Sequence, residues 1–352
     1  MAGKIIVAGH ICLDITPVFA SEKAQPLSSV LTPGKLVQMK DVSISTGGAV
    51  ANTGLALKVL GADVELMGKV GDDEFGRIVL DRLRGCGAEG GMLVSEDSST
   101  SYSVVIAPPG TDRIFLHNPG ANDTFRAEDL DFEKIAEADF FHFGYPPIMR
   151  HMYEDEGEEL AGIFRRVKEA GLTTSLDMAA VDPDSDAGKA DWGKILEKVL
   201  PYVDYFVPSA EELCFMADRP RYEEWLTRAA GGDVTSVISV EEDIRPLARK
   251  VLRMRASSLL IKCGAPGMYF TDGKREIFER SYKPERVLSG TGAGDTSIAA
   301  FLKARMEGRS IEESLHLAAA TGASCVEAYD ALGGLRSFEE LERRIKEGWE
   351  KL

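Results

Sequence analysis

Short apolar runs alternate with longer helical patterns along most of the chain. Apolar runs bounded by turn residues predict buried strands at residues 5–8, 64–67, 140–143, 173–176, 205–207 and 259–261. Apolar residues at intervals of three and four predict helices near residues 49–60, 75–85, 155–170, 191–199, 209–217, 243–255, 295–306, 310–328 and 337–349. This alternation predicts an α/β fold with a mostly parallel central sheet and helices on both faces.

Two segments, 15–46 and 92–118, interrupt this alternation. The first is rich in Pro, Ser and Thr, and the second holds two β-like runs around the turn Pro108-Pro109-Gly110. We expect the two insertions to form hairpins that pair into one small β-sheet, a lid over a ligand site. The α/β body then comprises residues 1–14, 47–91 and 119–352.

Composition narrows the class of protein. Of the 352 residues, 44% are hydrophobic and 28% are charged, which is typical of a globular protein. The formal net charge of −16 argues against nucleic acid or an anionic membrane as a partner. The five cysteines are scattered and form no C-x-x-C pair, which argues against a zinc site or a disulfide framework. Because the chain shows neither a signal peptide nor an apolar run of about 18 residues, we expect a cytoplasmic location.

One glycine-rich segment, Ser289-Gly290-Thr291-Gly292-Ala293-Gly294-Asp295, directly precedes an apolar helical pattern. Small residues leave the N–H groups at the predicted helix start uncovered, and such a helix start favours an anion. Asp295 is a poor group for binding a phosphate but a suitable one for accepting a proton beside it. The segment matches neither a dinucleotide fingerprint nor a Walker loop. By itself it fits either a catalytic site or a simple turn with an Asp cap.

Other polar residues follow predicted strands or open predicted helices. Gly47-Gly48 precede a helix that contains Asn52, Asp14 follows the first strand, and Glu212 begins a later helix. Each has an ordinary structural explanation as a loop, turn or first-turn residue. Residues 264–267 similarly fit a hairpin turn. Taken one by one, these residues leave structural and functional roles open.

Taken in order, these segments resemble the PfkB/ribokinase family of ATP-dependent carbohydrate kinases. The resemblance rests on residues 47–52 and 68–76 as an early signature and on Gly292-Ala293-Gly294-Asp295 as a late one, about 220 residues further on. It runs from Lys4 to about Gly334. It implies a ribokinase-like fold and an enzyme that transfers the γ-phosphate of ATP to a hydroxyl of a sugar or sugar derivative.

The resemblance also implies a role for each candidate residue. Asp295 matches the catalytic base, and the N–H groups of Gly292, Ala293 and Gly294 would form an anion hole for the transferred phosphoryl group. The implied substrate-binding residues are Asp14, Gly47, Gly48, Asn52 and, on the lid, Arg113. The implied nucleotide-binding residues are Ser209, Lys262, Gly264, Gly267 and Thr291. Glu212 matches the acidic residue associated with Mg²⁺.

Four positions depart from the family pattern. Ser289 and Gly290 replace the usual Asp-Thr, and because that Asp often helps hold a monovalent-cation loop, a requirement for K⁺ stays open. Ser209 replaces an Asn near the phosphates or the metal, and Ala179 replaces the Asn common two residues after Asp177. None of these changes removes the implied base or anion hole.

Two alternative functions remain. A nucleoside kinase of the same family would use the same chemistry on another acceptor. A non-catalytic sugar-binding or regulatory protein would use the same fold without turnover. Such a protein would be expected to lose Asp295 or the glycines first, and this chain retains them. The sequence leaves the oligomeric state open, and pairing of two lids is compatible with a homodimer.

Overall fold

The computed structural model describes residues 3–21, 23–24, 27–109 and 114–352, and the element bounds that follow refer to these residues. The strands are β1 (Lys4–Gly9), β2 (Cys12–Phe19), β3 (Met39–Gly47), β4 (Asp63–Gly71), β5 (Met92–Ser95), β6 (Tyr102–Ile106), β7 (Ile114–Asn118), β8 (Phe140–Gly144), β9 (Thr173–Asp177), β10 (Tyr205–Phe206), β11 (Leu259–Lys262), β12 (Gly267–Thr271) and β13 (Glu276–Arg280). The α-helices are α1 (Leu27–Val30), α2 (Ala49–Val59), α3 (Glu74–Gly85), α4 (Phe132–Ala136), α5 (Arg150–Tyr153), α6 (Glu158–Glu169), α7 (Asp186–Lys189), α8 (Trp192–Val199), α9 (Ala210–Ala217), α10 (Arg219–Ala229), α11 (Arg245–Leu252), α12 (Ala293–Met306), α13 (Ile311–Cys325) and α14 (Phe338–Lys346).

A large sheet forms the centre of the molecule, with the strand order β13-β12-β11-β10-β9-β8-β1-β4-β5. Neighbouring strands from β11 to β5 run parallel, whereas β12 and β13 form an antiparallel edge. Parallel neighbours need crossover connections, which explains the helices between most of the strands. Gly9, Gly144 and Asp177 lie in one row across β1, β8 and β9. The carboxyl ends of three central strands therefore coincide.

The apolar residues of β1 show how the helices cover both faces of the sheet. Ile5 and Val7 belong to one buried cluster, and Ile6 and Ala8 belong to the other. Helices α2, α12 and α13 contribute to the first cluster, and α6, α8, α9 and α11 contribute to the second. Each fully buried Ile or Val side chain contributes about 1.5–3 kcal/mol. The predicted α/β arrangement is confirmed.

A small sheet is built from β3, β2, β6 and β7, in that order. The hairpins β2–β3 and β6–β7 are antiparallel, and the pair β2–β6, which joins them, is parallel. The two insertions thus pair into one sheet as expected. The boundaries differ from the expected ones, because Met92–Ser95 pairs with β4 and extends the large sheet, and the small sheet begins at Cys12.

Other elements also differ from the sequence prediction, and two helices show why. Helix α10 was not expected, because charged residues and Pro220 hide its apolar stripe, and Trp225 is its one buried residue. The helix expected from residue 155 begins at Glu158, since the backbone at Asp155 and Glu156 is left-handed. No helix in the described part of the chain is long and apolar enough to cross a membrane.

Candidate active site

Asp295 lies in the first turn of α12, beside the carboxyl ends of the central strands, and is 5% exposed. The Tyr145 hydroxyl, just past β8, donates to both carboxylate oxygens, at 2.8 Å to Oδ1 and 2.9 Å to Oδ2. Asn52 Nδ2, on α2, donates to Oδ2 at 3.1 Å. The two predicted residues Asn52 and Asp295 are thus brought together, 243 residues apart in the chain.

A buried ion pair lies next to this carboxylate. Lys262 Nζ donates to Asp177 Oδ1 at 2.6 Å and to Oδ2 at 2.8 Å. Burial raises the pKa of Asp177 to about 7, although Lys262 opposes the rise. Burial acts to lower the pKa of Lys262, but Asp177, Glu212 and Asp295 outweigh it and raise that pKa. Lys262 is therefore a permanent cation among three carboxylates.

The proton affinity of Asp295 follows from the same surroundings. Burial raises the pKa of its carboxyl above the ordinary value, while Lys262 and the hydrogen bonds from Tyr145 and Asn52 lower it. A general base works best when its pKa is closer to the operating pH than that of a solvated Asp. The pKa of Asp295 thus lies above that of a solvated Asp, and its carboxylate accepts hydrogen bonds from Tyr145 and Asn52.

The glycine-rich segment forms a helix start without a side-chain cap, in which the Ala293 N–H donates to the Gly290 carbonyl at 3.4 Å. Gly292, at the N-cap of α12, has a φ of 76° and carries no capping side chain. A Cβ on Gly292 would lie 2.3 Å from the Cβ of Ala331, so a larger residue would not fit. Ser289 Oγ accepts from the Thr291 N–H at 3.1 Å and donates to the Thr291 hydroxyl at 3.0 Å, which shapes the loop before the helix. The residues present fit the expected anion cradle.

Gly47 and Gly48 pack against polar groups on the opposite side of the site. A Cβ on Gly47 would lie 2.3 Å from Asp14 Oδ2, and one on Gly48 would lie 2.5 Å from His10 Nδ1. Gly48 also has a φ of 85°, a conformation that side chains disfavour. These glycines allow the start of α2 to approach Asp14 and His10 closely.

A row of polar residues crosses the small sheet at Asp14. Ser45, Asp14, Ser103 and His117 are successive register partners in β3, β2, β6 and β7, so they share one face of the sheet. His117 Nδ1 lies 2.9 Å from Ser103 Oγ, and the His117 ring lies 5.2 Å from that of His10. Burial lowers the pKa of both histidines, which keeps them neutral.

The expected nucleotide and metal residues already have local structural roles. Ser209 and Glu212 form a capping box, in which Ser209 Oγ accepts from the Glu212 N–H at 3.2 Å and Glu212 Oε2 accepts from the Ser209 N–H at 2.7 Å. Gly264 and Gly267 form the turn between β11 and β12, where the Gly267 N–H donates to the Gly264 carbonyl at 3.1 Å. Arg113 lies outside the described residues.

Among the described residues, no group of three or more His, Cys, Asp or Glu side chains is arranged to hold a metal ion. A divalent cation at this site would therefore need ligands from the nucleotide, as Mg²⁺ usually does.

Tyr145 and the pairing of Asp177 with Lys262 were not predicted. The sequence offers one signal for Tyr145, since it directly follows a buried strand, where open α/β sheets bind ligands. The sequence offers no signal for the pairing of Asp177 with Lys262, because the two residues end different strands, β9 and β11.

Comparison with known proteins identifies the family. The family model described as pfkB family carbohydrate kinase matches residues 3–336. The chain belongs to this family. Among its curated relatives are an uncharacterized sugar kinase of Archaeoglobus fulgidus, 25% identical over 80% of this chain and 98% of that protein, and fructokinase-1 of Oryza sativa subsp. japonica, 27% identical over 92% of each. This pfkB-family chain is therefore a carbohydrate kinase, an ATP-dependent phosphotransferase.

Solved structures confirm the ribokinase-like fold. The ribokinase of Arabidopsis thaliana complexed with ribose and ATP matches this chain with a TM-score of 0.75 and 21% identity, over 98% of this chain and 99% of that one. A putative ribokinase II from E. coli in complex with ATP and Mg²⁺ matches with a TM-score of 0.73 and 22% identity, over the same shares.

Proposed function

We propose that this kinase transfers the γ-phosphate of ATP to a hydroxyl of a sugar or sugar derivative, with Asp295 as the general base. The observation that carries the proposal is the buried carboxylate of Asp295 in the first turn of α12, a helix whose N-terminus at Gly292 carries no capping side chain. Asp295 accepts the proton of the attacking hydroxyl. The N–H groups of Gly292, Ala293 and Gly294 donate to the oxygens of the phosphoryl group as it transfers.

The acceptor binds between α2 and the polar row of the small sheet. Asp14 and Asn52 hydrogen-bond its hydroxyls, and Gly47 and Gly48 leave room for it. The neutral imidazoles of His10 and His117 suit uncharged hydroxyls better than a charged group, because the charged form of each is disfavoured by burial. Arg113 is a further proposed contact. The small sheet acts as a lid, and its closure excludes water that would otherwise attack ATP.

The nucleotide binds toward β10, β11 and the start of α12. Ser209, Lys262, Thr291, Gly264 and Gly267 surround it. Glu212 associates with Mg²⁺ and its waters, and bound Mg²⁺ would neutralise charge on the transferring phosphates. The carboxyl groups of Asp177, Glu212 and Asp295 surround the single ammonium of Lys262. This excess of acidic groups supports the binding of a further cation together with the phosphates. Ser289 and Gly290 leave the K⁺ requirement open, and a homodimer through the lid and a cytoplasmic location remain predictions.

The test is ADP release from Mg-ATP with a panel of sugars, sugar acids and nucleosides, using the wild type and Asp295→Asn. The variant should lose about 10²–10⁴-fold in kcat, the usual range for loss of a general base, while its affinity for ATP is retained. Asp81→Asn, which changes an exposed carboxylate paired with Arg84, is the control and should turn over normally.

Each outcome separates one candidate function from another. Full activity of Asp295→Asn would remove the general base from the mechanism. A clear preference for nucleosides would indicate a nucleoside kinase. Tight binding of one sugar with no turnover of any acceptor would indicate the non-catalytic regulator.

A further inference from the structure

Tyr145 is held in an unusual position beside Asp295. Its backbone is left-handed, with a φ of 69° and a ψ of 40°, a strained conformation that is rare for a bulky aromatic residue and that surrounding contacts must hold in place. Its N–H donates to the Asp177 carbonyl at 3.2 Å, and its carbonyl accepts from the Ile148 N–H at 3.2 Å. The turn between β8 and Pro146-Pro147 thus fixes the phenol at Asp295.

We propose that Tyr145 is a positioning residue that orients the Asp295 carboxylate and keeps it ionised for proton abstraction. This inference rests on the proposed function, because it concerns the base of that reaction. Since the hydroxyl bonds both oxygens, any rotation of the carboxylate breaks at least one hydrogen bond. The bond to a carboxylate is stronger than one between neutral groups.

The phenol can act only as a donor at this place. Burial and the carboxylates of Asp295 and Asp177 raise the pKa of Tyr145 well above its ordinary value, so the hydroxyl keeps its proton. A donor stabilises the ionised form of the carboxyl it contacts and lowers the pKa of that carboxyl.

The other groups that face Asp295 come from β9, β11, α2, α9, α13 and the loop after β1. Asp177 of β9 has a pKa raised to about 7, mainly by burial, and the repulsion between Asp177 and Asp295 contributes to that rise. Lys262 of β11 and the Asn52 amide of α2 favour its ionised form, whereas Glu212 of α9 opposes it. The Cys325 thiol of α13 is neutral, since burial raises its pKa to about 11. His10, whose ring lies 6.0 Å from that of Tyr145, is also neutral because burial lowers its pKa. These groups are the same in a Tyr145→Phe variant, so the variant isolates one hydroxyl.

The test is the pH profile of kcat/KM for Tyr145→Phe. Removing the donor raises the pKa of Asp295, and since the protonated carboxyl is inactive, the acidic limb should move upward by about one pH unit. Well above that limb, kcat should fall by less than about ten-fold. Tyr202→Phe is the matched control, because it removes a hydroxyl that accepts from Arg165 Nε at 3.3 Å, far from Asp295. Its limb should stay at the wild-type pH.

A profile that is lowered evenly, with the limb unmoved, would show a merely structural role and overturn the inference. If the wild type is active and the acidic limb of Tyr145→Phe stays at the wild-type pH, the role of Tyr145 is refuted but the proposed function stands. If the wild type turns over no acceptor, the proposed function is refuted as well. Thermal melting checks that the variant folds. If it does not, Tyr145→Asn tolerates the left-handed backbone better and should shift the limb in the same direction, and an unmoved limb there also refutes the role.

Discussion

The buried pair of Asp177 and Lys262 makes a strong prediction about stability. Lys262→Met removes the ammonium that lies 2.6 Å and 2.8 Å from the two oxygens of a carboxylate with no exposed surface. Breaking a buried pair by removing one partner costs about 3–5 kcal/mol, because the remaining charge is left without compensation. For an unfolding entropy of about 2.1 cal/mol/K per residue, that cost lowers the melting temperature of a chain of this length by about 4–7 °C.

The loss of stability in Lys262→Met should also depend on pH, and the pKa of Asp177 gives the direction of that dependence. In the wild type the pKa of Asp177 is already raised to about 7, and removing the opposing ammonium raises it further. A native-state pKa above the unfolded value of about 3.9 means that the native state holds the extra proton between these two values. Stability of the variant therefore decreases as the pH rises through this window. The wild type loses stability in the same way up to about pH 7, so the destabilisation of the variant relative to the wild type grows only above that pH. The destabilisation should therefore be smaller near pH 5 than near pH 8.

The assay is calorimetric unfolding of the wild type, Lys262→Met, Asp177→Asn and the double variant at both pH values. The double variant carries neither charge of the pair, so it should be more stable than the sum of the two single changes predicts. Lys198→Met, which breaks two surface pairs, with Glu156 and Glu158, is the control and should melt close to the wild type. Equal destabilisation by Lys262→Met at both pH values, or additive single changes, would refute the reasoning.

Two further predictions concern the acceptor and nucleotide sides of the site. Gly47→Ala places a Cβ 2.3 Å from Asp14 Oδ2 and must displace that carboxylate, so the KM for the acceptor should rise by about ten-fold or more while the KM for ATP stays within about two-fold, as measured by initial rates. Ser209→Ala and Ser310→Ala each remove the side chain of a capping box and should each lower the free energy of unfolding by about 1 kcal/mol. Only Ser209→Ala should also change the KM for Mg-ATP. The same KM for Mg-ATP in both variants would contradict the proposed association of Glu212 with Mg²⁺.

The sequence predicted the parts of this fold that have a one-dimensional signature. Central parallel strands such as β1 and β8 are buried on both faces and therefore appear as continuous apolar runs. Helix α10 lacks such a signature, because Trp225 is its one buried side chain and its other residues are mostly polar. The edge strand β5 resembles a hairpin strand in sequence, and its pairing with β4 is set by tertiary structure.

The residues of the site also differ in whether a local sequence pattern reveals them. Asp295, Asn52 and the glycines belong to local motifs with recognisable spacing, so their roles could be expected before their contacts were known. Tyr145 and the Asp177–Lys262 pair have no local pattern, since each matters only through a partner from a distant part of the chain, 150 and 85 residues away. Their importance follows from burial and proximity, which spacing alone does not reveal.

The small sheet joins the body at the end nearest the site, so a rotation of the sheet would turn about that end. All four of its strands join the body at one end, near Cys12, Gly47, Tyr102 and Asn118, which are register neighbours or one residue apart. The polar row through Asp14 lies only one to two residues from this line. A rotation of about 10° would move that row by roughly 1 Å, but would move a point five residues out by about 3 Å. Opening the far end would thus admit a ligand while the polar row, the proposed site of the acceptor, stays almost in place.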